Sequence, residues 1–150
     1  VNIIANDLSK LGMKVNTTAI EFNKMVQQLT AQWNYDAILI GFTGSIEPNV
    51  GANVWKSSGS LHAWNPRQQK PATEWEAKID QLFKKGVQAT NVEERKKYYD
   101  QWQEIVANKV PFIYTVTPNA IYGIKDRVQN TKVSAYGGVS WNAEKLYLKE

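Results

Sequence analysis

At 150 residues, with 43% hydrophobic and 21% charged side chains, 9 Gly and 5 Pro, the chain has the composition of one globular domain, which excludes collagen-like, disordered and low-complexity classes. Cysteine is absent, so disulfides, thiol nucleophiles and Cys-based metal sites are excluded while the redox compartment stays open. The net charge of +4 arises from 18 Lys+Arg against 14 Asp+Glu. Because Lys84, Lys85, Arg95, Lys96 and Lys97 lie beside Glu93 and Glu94 on helix-like stretches, a solvated surface is expected and nucleic acid is not.

Ile4, Leu8 and Leu11 recur at helical spacing, and Gly12 supplies a stop. The start carries no initiator Met, no cap and no basic segment leading into an apolar signal core, so the chain is expected to be part of a longer protein whose domain begins upstream. Met13, Val15 and Thr17 alternate with Lys14, Asn16 and Thr18, which predicts a strand with one wetter face. Phe22, Met25, Val26, Leu29 and Trp33 predict a helix, and the apolar run at 37–42 predicts a buried strand. Strand, helix and buried strand together predict a right-handed βαβ unit with parallel strands.

Residues 43–72 show neither period and are rich in Gly, Ser, Asn and Pro, interleaved with Trp55, His62 and Trp64. A loop of this length leaving the C-terminal end of a parallel strand is where ligand-binding residues are expected. Trp55 and Trp64 offer flat faces for a sugar ring or a peptide side chain, and Asn53, Ser57, Ser58, Ser60, His62 and Asn65 offer orienting hydrogen bonds. Alternatively, these tryptophans pin the loop to the body of the domain.

Two helices follow. Thr73 with Glu76, and Asn91 with Glu94, read as capping boxes. The expected apolar stripes are Trp75, Ile79, Leu82, Phe83 and Val87, then Tyr98, Trp102, Ile105 and Val106, ending before Pro111. Strands are expected at 112–116 and, more weakly, at 120–124 and 145–148, and Gly137-Gly138 reads as a crossover or hinge.

Catalytic chemistry has little support. His62 is the one histidine, with no Gly-x-Ser-x-Gly elbow, and the carboxylates Asp36, Glu47, Glu74, Glu76 and Asp80 fall mostly at caps or helix faces. A hydrolase using His62 is the alternative from the enzyme class. No metal-ligand spacing, phosphate loop or dinucleotide fingerprint is present, so neither metal nor cofactor is expected.

Seven segments stand in one register along the chain: Leu8-Ser9-Lys10-Leu11-Gly12-Met13-Lys14-Val15, Tyr35-Asp36-Ala37-Ile38-Leu39-Ile40-Gly41-Phe42, Glu47-Pro48, Trp64-Asn65-Pro66, Ile79-Asp80-Gln81-Leu82-Phe83, the run from Glu93 to Val106, and Val110-Pro111-Phe112-Ile113-Tyr114. In this order they resemble the extracellular solute-binding proteins of ABC importers in the peptide/nickel-binding family. The resemblance implies an α/β, periplasmic-binding-protein-like lobe with a βαβ unit and a mixed sheet flanked by helices. Residues 1–150 would be one domain, the C-terminal lobe of a two-lobed clamp, with about 137–150 crossing back toward the missing N-terminal lobe. It also implies a small-molecule ligand (a short peptide, or an oligosaccharide as the second reading), a membrane permease as partner, and a periplasmic or extracellular location. Where the family's peptide binders hold the ligand's α-ammonium with an aspartate, this chain has Thr43-Gly44-Ser45-Ile46-Glu47-Pro48, leaving Glu47 as the carboxylate able to substitute. The expected ligand-binding set is Phe42, Thr43, Gly44, Ser45, Glu47, Asn53, Trp55, His62, Trp64 and Asn65.

Overall fold

In the computed structural model, which describes residues 1–149, the body of the chain is an antiparallel helix pair. Its first member, α4 (Glu74–Gln88), starts at a reciprocal cap in which Thr73 Oγ1 accepts the Glu76 backbone N–H and the Glu76 carboxylate accepts the Thr73 N–H. Two backbone donors at the helix start are thereby satisfied without water. The second, α5 (Val92–Lys109), is capped by the Asn91 side chain on the Glu94 N–H, while the Glu94 carboxylate turns away to accept the Tyr98 hydroxyl. It ends at Val110 in a left-handed conformation (φ 48°) ahead of Pro111.

The core between them is Ile79, Phe83, Tyr99 and Val106, flanked by Trp75, Trp102 and Ile105. Phe83 meets Tyr99 and Trp102 edge-to-face at 5.5 and 5.3 Å between ring centroids. The stripes differ from expectation at one position in each helix. Val87 is 53% exposed, and Tyr99, beside the expected Tyr98, carries the inward face of α5. Its ring lies against Gly86, where a Cβ would stand 2.7 Å from the Tyr99 ring.

Three shorter helices precede the pair. α1 (Asn2–Lys10) buries none of its side chains, and α2 (Phe22–Gln27) continues into a π-helical turn, Gln28–Gln32, closed by the Trp33 N–H on the Gln28 carbonyl. α3 (Ala52–Trp55) follows a 3-10 turn at Pro48–Gly51 and packs Ala52 and Trp55 on the helix-pair core.

The sheet departs most from expectation. Among the described residues the paired strands are β1 (Val128–Gln129) and β2 (Tyr147–Leu148), antiparallel, with Val128 opposite Leu148 and Gln129 opposite Tyr147. β2 falls inside the expected 145–148 strand. The segments 13–18, 37–42, 112–116 and 120–124 make no ladder, so the parallel βαβ unit and the larger mixed sheet are not formed by the described residues. The reason is physical: β-branched and aromatic composition describes a side chain suited to a half-buried pleat, but a ladder needs a neighbouring strand and a covered face. Here Ile113, Val116 and Ile121 are 87%, 86% and 92% exposed. At Gly138 the chain makes a tight turn, with Ser134 and Gly138 exchanging backbone hydrogen bonds of 3.0 Å.

The Gly86 contact yields a test. Gly86→Ala forces α4 away from Tyr99 and is expected to destabilise the chain by about 1–3 kcal/mol, read as a lowered midpoint in thermal unfolding. An unchanged midpoint would show that the helices do not pack through this contact.

Candidate functional site

The largest set of hydrogen bonds holding the loop at 43–72 converges on one carboxylate at the start of α4. Glu76, 1% exposed, receives the Trp64 indole N–H (3.0 Å) and the Gln68 amide (3.1 Å) on Oε1. On Oε2 it receives the Ala72 N–H (3.1 Å), the Thr73 N–H (2.9 Å) and the Thr73 hydroxyl (2.9 Å). Burial pushes the Glu76 pKa up from its ordinary 4.5, but hydrogen bonding by its neighbours His62, Thr73, Trp64 and Gln68 outweighs that and holds it at about 2.

Both ring nitrogens of His62 have partners. The Ala72 N–H can only donate, and it is directed at Gln68 Oε1 (3.1 Å), which also accepts from Asn65 Nδ2 (2.8 Å). The Gln68 amide nitrogen therefore faces His62 Nε2 at 2.7 Å, and Nε2 also lies 3.2 Å from Glu76 Oε1. Nδ1 donates to the Val54 carbonyl (3.2 Å). With both nitrogens engaged and 1% exposure, His62 presents no free nitrogen to a substrate. Gly59 permits the turn into this network, since its Cβ would fall 2.0 Å from the Asn53 carbonyl oxygen, which accepts the Leu61 N–H.

The tryptophans lie in an aromatic cluster. Trp64 stands 3.8 Å from the His62 ring, 6.0 Å from Trp75 in a stacked arrangement and 5.3 Å from Phe112 edge-to-face. Trp55 meets Phe112 at 5.4 Å and Trp102 at 5.1 Å, both edge-to-face. Phe42, half-exposed, meets Phe112 edge-to-face at 6.1 Å between ring centroids.

The ten expected residues thus separate into two groups. Phe42, Thr43, Gly44, Ser45 and Asn53 are exposed along the loop rim. Trp55, His62, Trp64 and Asn65 are gathered inside the network and the cluster, where they hold the loop. Glu47 sits between: its carboxylate caps the 3-10 turn at the Asn49 N–H (3.1 Å) and is paired with Arg95 of α5. Reasoning from sequence missed Gln68, Arg95, Phe112 and the wider role of Glu76, for which the capping box gave only the Thr73 half. Asp80 was also read as a helix-face carboxylate, and here it accepts the Ser57 N–H (2.8 Å) and ties the loop to α4.

Among the described residues no group of three or more His, Cys, Asp or Glu side chains is placed to hold a metal ion, and no helix is long and apolar enough to cross a membrane.

Comparison with known proteins gives the class. No protein-family model matches the chain, and no solved structure matches it. It is 31% identical over 139 residues to a probable ABC transporter-binding protein of Deinococcus radiodurans, covering 85% of the chain and 23% of that protein. It is 24% identical to the oligopeptide-binding protein AppA of Bacillus subtilis (97% of the chain, 26% of that protein). It is 25% identical to the peptide transport periplasmic protein SapA of Haemophilus influenzae (91% of the chain, 24% of that protein). The chain is a relative of the binding proteins of ABC transporters, and the resemblance to their peptide/nickel-binding family runs through most of its length. It spans about a quarter of the length of these relatives.

The charge state of Glu76 sets a pH dependence. Its folded pKa of about 2 lies below the ordinary 4.5, so its contribution is complete above about pH 5 and is lost as the pH falls through 4.5 toward 2. Glu76→Gln is expected to lower stability at pH 7 by on the order of 2 kcal/mol and to flatten this acid limb in a series of thermal melts. An unaltered acid limb would place the titration elsewhere.

Trp64→Ala removes the indole donor together with four ring contacts and is expected to destabilise by about 3 kcal/mol. A midpoint within a degree of the parent's, accompanied by changed ligand binding, would instead assign Trp64 to ligand contact alone.

Proposed function

We propose that the chain is the C-terminal lobe of the substrate-binding component of an ABC importer, which captures a short peptide outside the cytoplasmic membrane and hands it to the membrane permease. The observation carrying this reading is the similarity to an ABC transporter-binding protein and to two peptide-binding proteins over 85–97% of the chain. A binding role also suits the geometry: a loop fixed from beneath by the Glu76 network presents Phe42, Thr43, Gly44, Ser45 and Asn53 at its rim. The role calls for no catalytic group and no cofactor. Ligand would be enclosed between this lobe and an N-terminal lobe by clamp closure, with about 137–150 returning toward that lobe. The apolar segments 37–42 and 112–116 find their strand neighbours in the remainder of the protein under this reading.

A second reading, a neutral oligosaccharide, rests on Glu47. Its carboxylate is already neutralised by Arg95 and engaged by the Asn49 N–H, so between residues 43 and 48 no free carboxylate remains for a peptide's α-ammonium. A buried ammonium needs an anionic partner, and the peptide reading therefore places that partner elsewhere in the protein.

The test is mass spectrometry of solutes that co-purify with the full-length protein, joined to calorimetry. The expected result is a short peptide bound by the full-length protein, and at least about tenfold weaker binding by the 150-residue chain, which encloses ligand on one side at most. A co-purifying oligosaccharide would favour the second reading. Equal affinity for both proteins would refute the clamp.

A further inference from the structure

Where the start of α4 lies against the end of α5, the helix pair leaves a shallow, open groove whose two overlapping parts measure about 320 and 540 Å³. Trp75, Lys78 and Ile105 line both, and Gln101, Glu104 and Asn108 extend the first along one stripe of α5. We infer that this groove is a binding site for a neutral saccharide ring, separate from the loop rim and not dependent on the function proposed above.

The platform is rigid before any ligand arrives. Trp75 stacks on Trp64 at 6.0 Å with 27° between the rings, and Trp64 is held in turn by the hydrogen bond from its indole N–H to buried Glu76. A wall residue backed in this way loses little freedom on binding, which lowers the ordering cost that limits weak ligands. A flat indole face beside Ile105 matches the C–H face of a pyranose.

The polar rim fits hydroxyls. Asn108 Nδ2 donates to the Glu104 carbonyl (2.8 Å) and Gln101 Nε2 to the Lys97 carbonyl (3.1 Å) within α5. Each amide is thereby oriented with its oxygen left to accept, and neither oxygen has a donor among the described residues. Lys78 and Lys109 supply donors and make no ion pair among the described residues. A hydroxyl donates once and accepts twice, so it needs both kinds of partner. The charges at the groove, Lys78 and Lys109 against Glu74 and Glu104, balance, which disfavours an anionic or cationic occupant and favours an uncharged polyol.

The experiment is a nuclear magnetic resonance titration of the isotopically labelled 150-residue chain with cellobiose, using tetra-alanine as the peptide control. Cellobiose is expected to shift the Trp75 indole and the Gln101 and Asn108 side-chain amides together, saturating at about millimolar concentration, while tetra-alanine leaves them in place. Trp75→Ala should abolish the shifts. Because that variant also loses the stack on Trp64, the double variant Gln101→Ala, Asn108→Ala serves beside it, altering only exposed positions on α5; it is expected to weaken binding about threefold or more with the thermal midpoint retained. No shift at about 50 mM cellobiose, shifts that persist in both variants, or equal shifts with tetra-alanine would each overturn the inference.

Discussion

A buried carboxylate normally destabilises a fold, and the arrangement of this chain depends on how that penalty is met at Glu76. Five donors from four residues converge on its two oxygens, two of them backbone N–H groups that also belong to the start of α4. One residue therefore closes the helix cap and anchors the loop. Removing the carboxylate would leave buried donors of Trp64, Gln68 and Thr73 without a partner, the situation in which single changes are most damaging. The capping box alone is a local device; here it is the root of a tertiary one.

From that root the order spreads through planar groups. Gln68 and Glu76 hold His62, which donates to the Val54 carbonyl in α3, and Trp55 at the end of α3 packs on Trp102 and Phe112. A second tie runs from Asp80 on α4 to the Ser57 N–H, and a third from the Tyr35 hydroxyl to the Ala63 carbonyl (3.2 Å), with the Arg67 guanidinium 4.1 Å over the Trp33 ring beside it. These contacts explain how a long segment with little regular structure can hold one conformation. Its backbone groups and large side chains are satisfied by the helix pair, and its small polar residues remain outside at the rim.

The helix pair was legible because its signals are local. Thr73 and Asn91 mark the starts, Pro111 the stop, and Ile79, Phe83, Trp102 and Val106 repeat at helical spacing. The choice of Tyr99 over Tyr98 was not legible, since it depends on the room left by Gly86 across the interface. The expected strands other than 145–148 were unsupported for the same kind of reason. The period at 13–18 and the composition at 112–116 are properties of one segment, whereas a ladder is a property of two. In the site, the loop was found from its composition and its two tryptophans, but sequence spacing could not decide whether Trp64 faces outward or inward. That decision belongs to Glu76, twelve residues further on, and to the pairing of Glu47 with Arg95 across the loop. Both are long-range electrostatic matches with no short motif.

The aromatic pair Trp64 and Trp75 links the loop and the groove. One indole belongs to the loop and the other to α4, and the loop member is tethered to the same carboxylate that caps that helix. Ordering the loop thus occurs when the helix folds, and the entropy of fixing it is offset by the core and the Glu76 donors before a ligand is met. Under the binding function proposed above, this matters more than an additional contact would. A rim already in place contributes nearly all of its contact energy to affinity, whereas a loop ordered by its ligand would surrender part of that energy in becoming ordered.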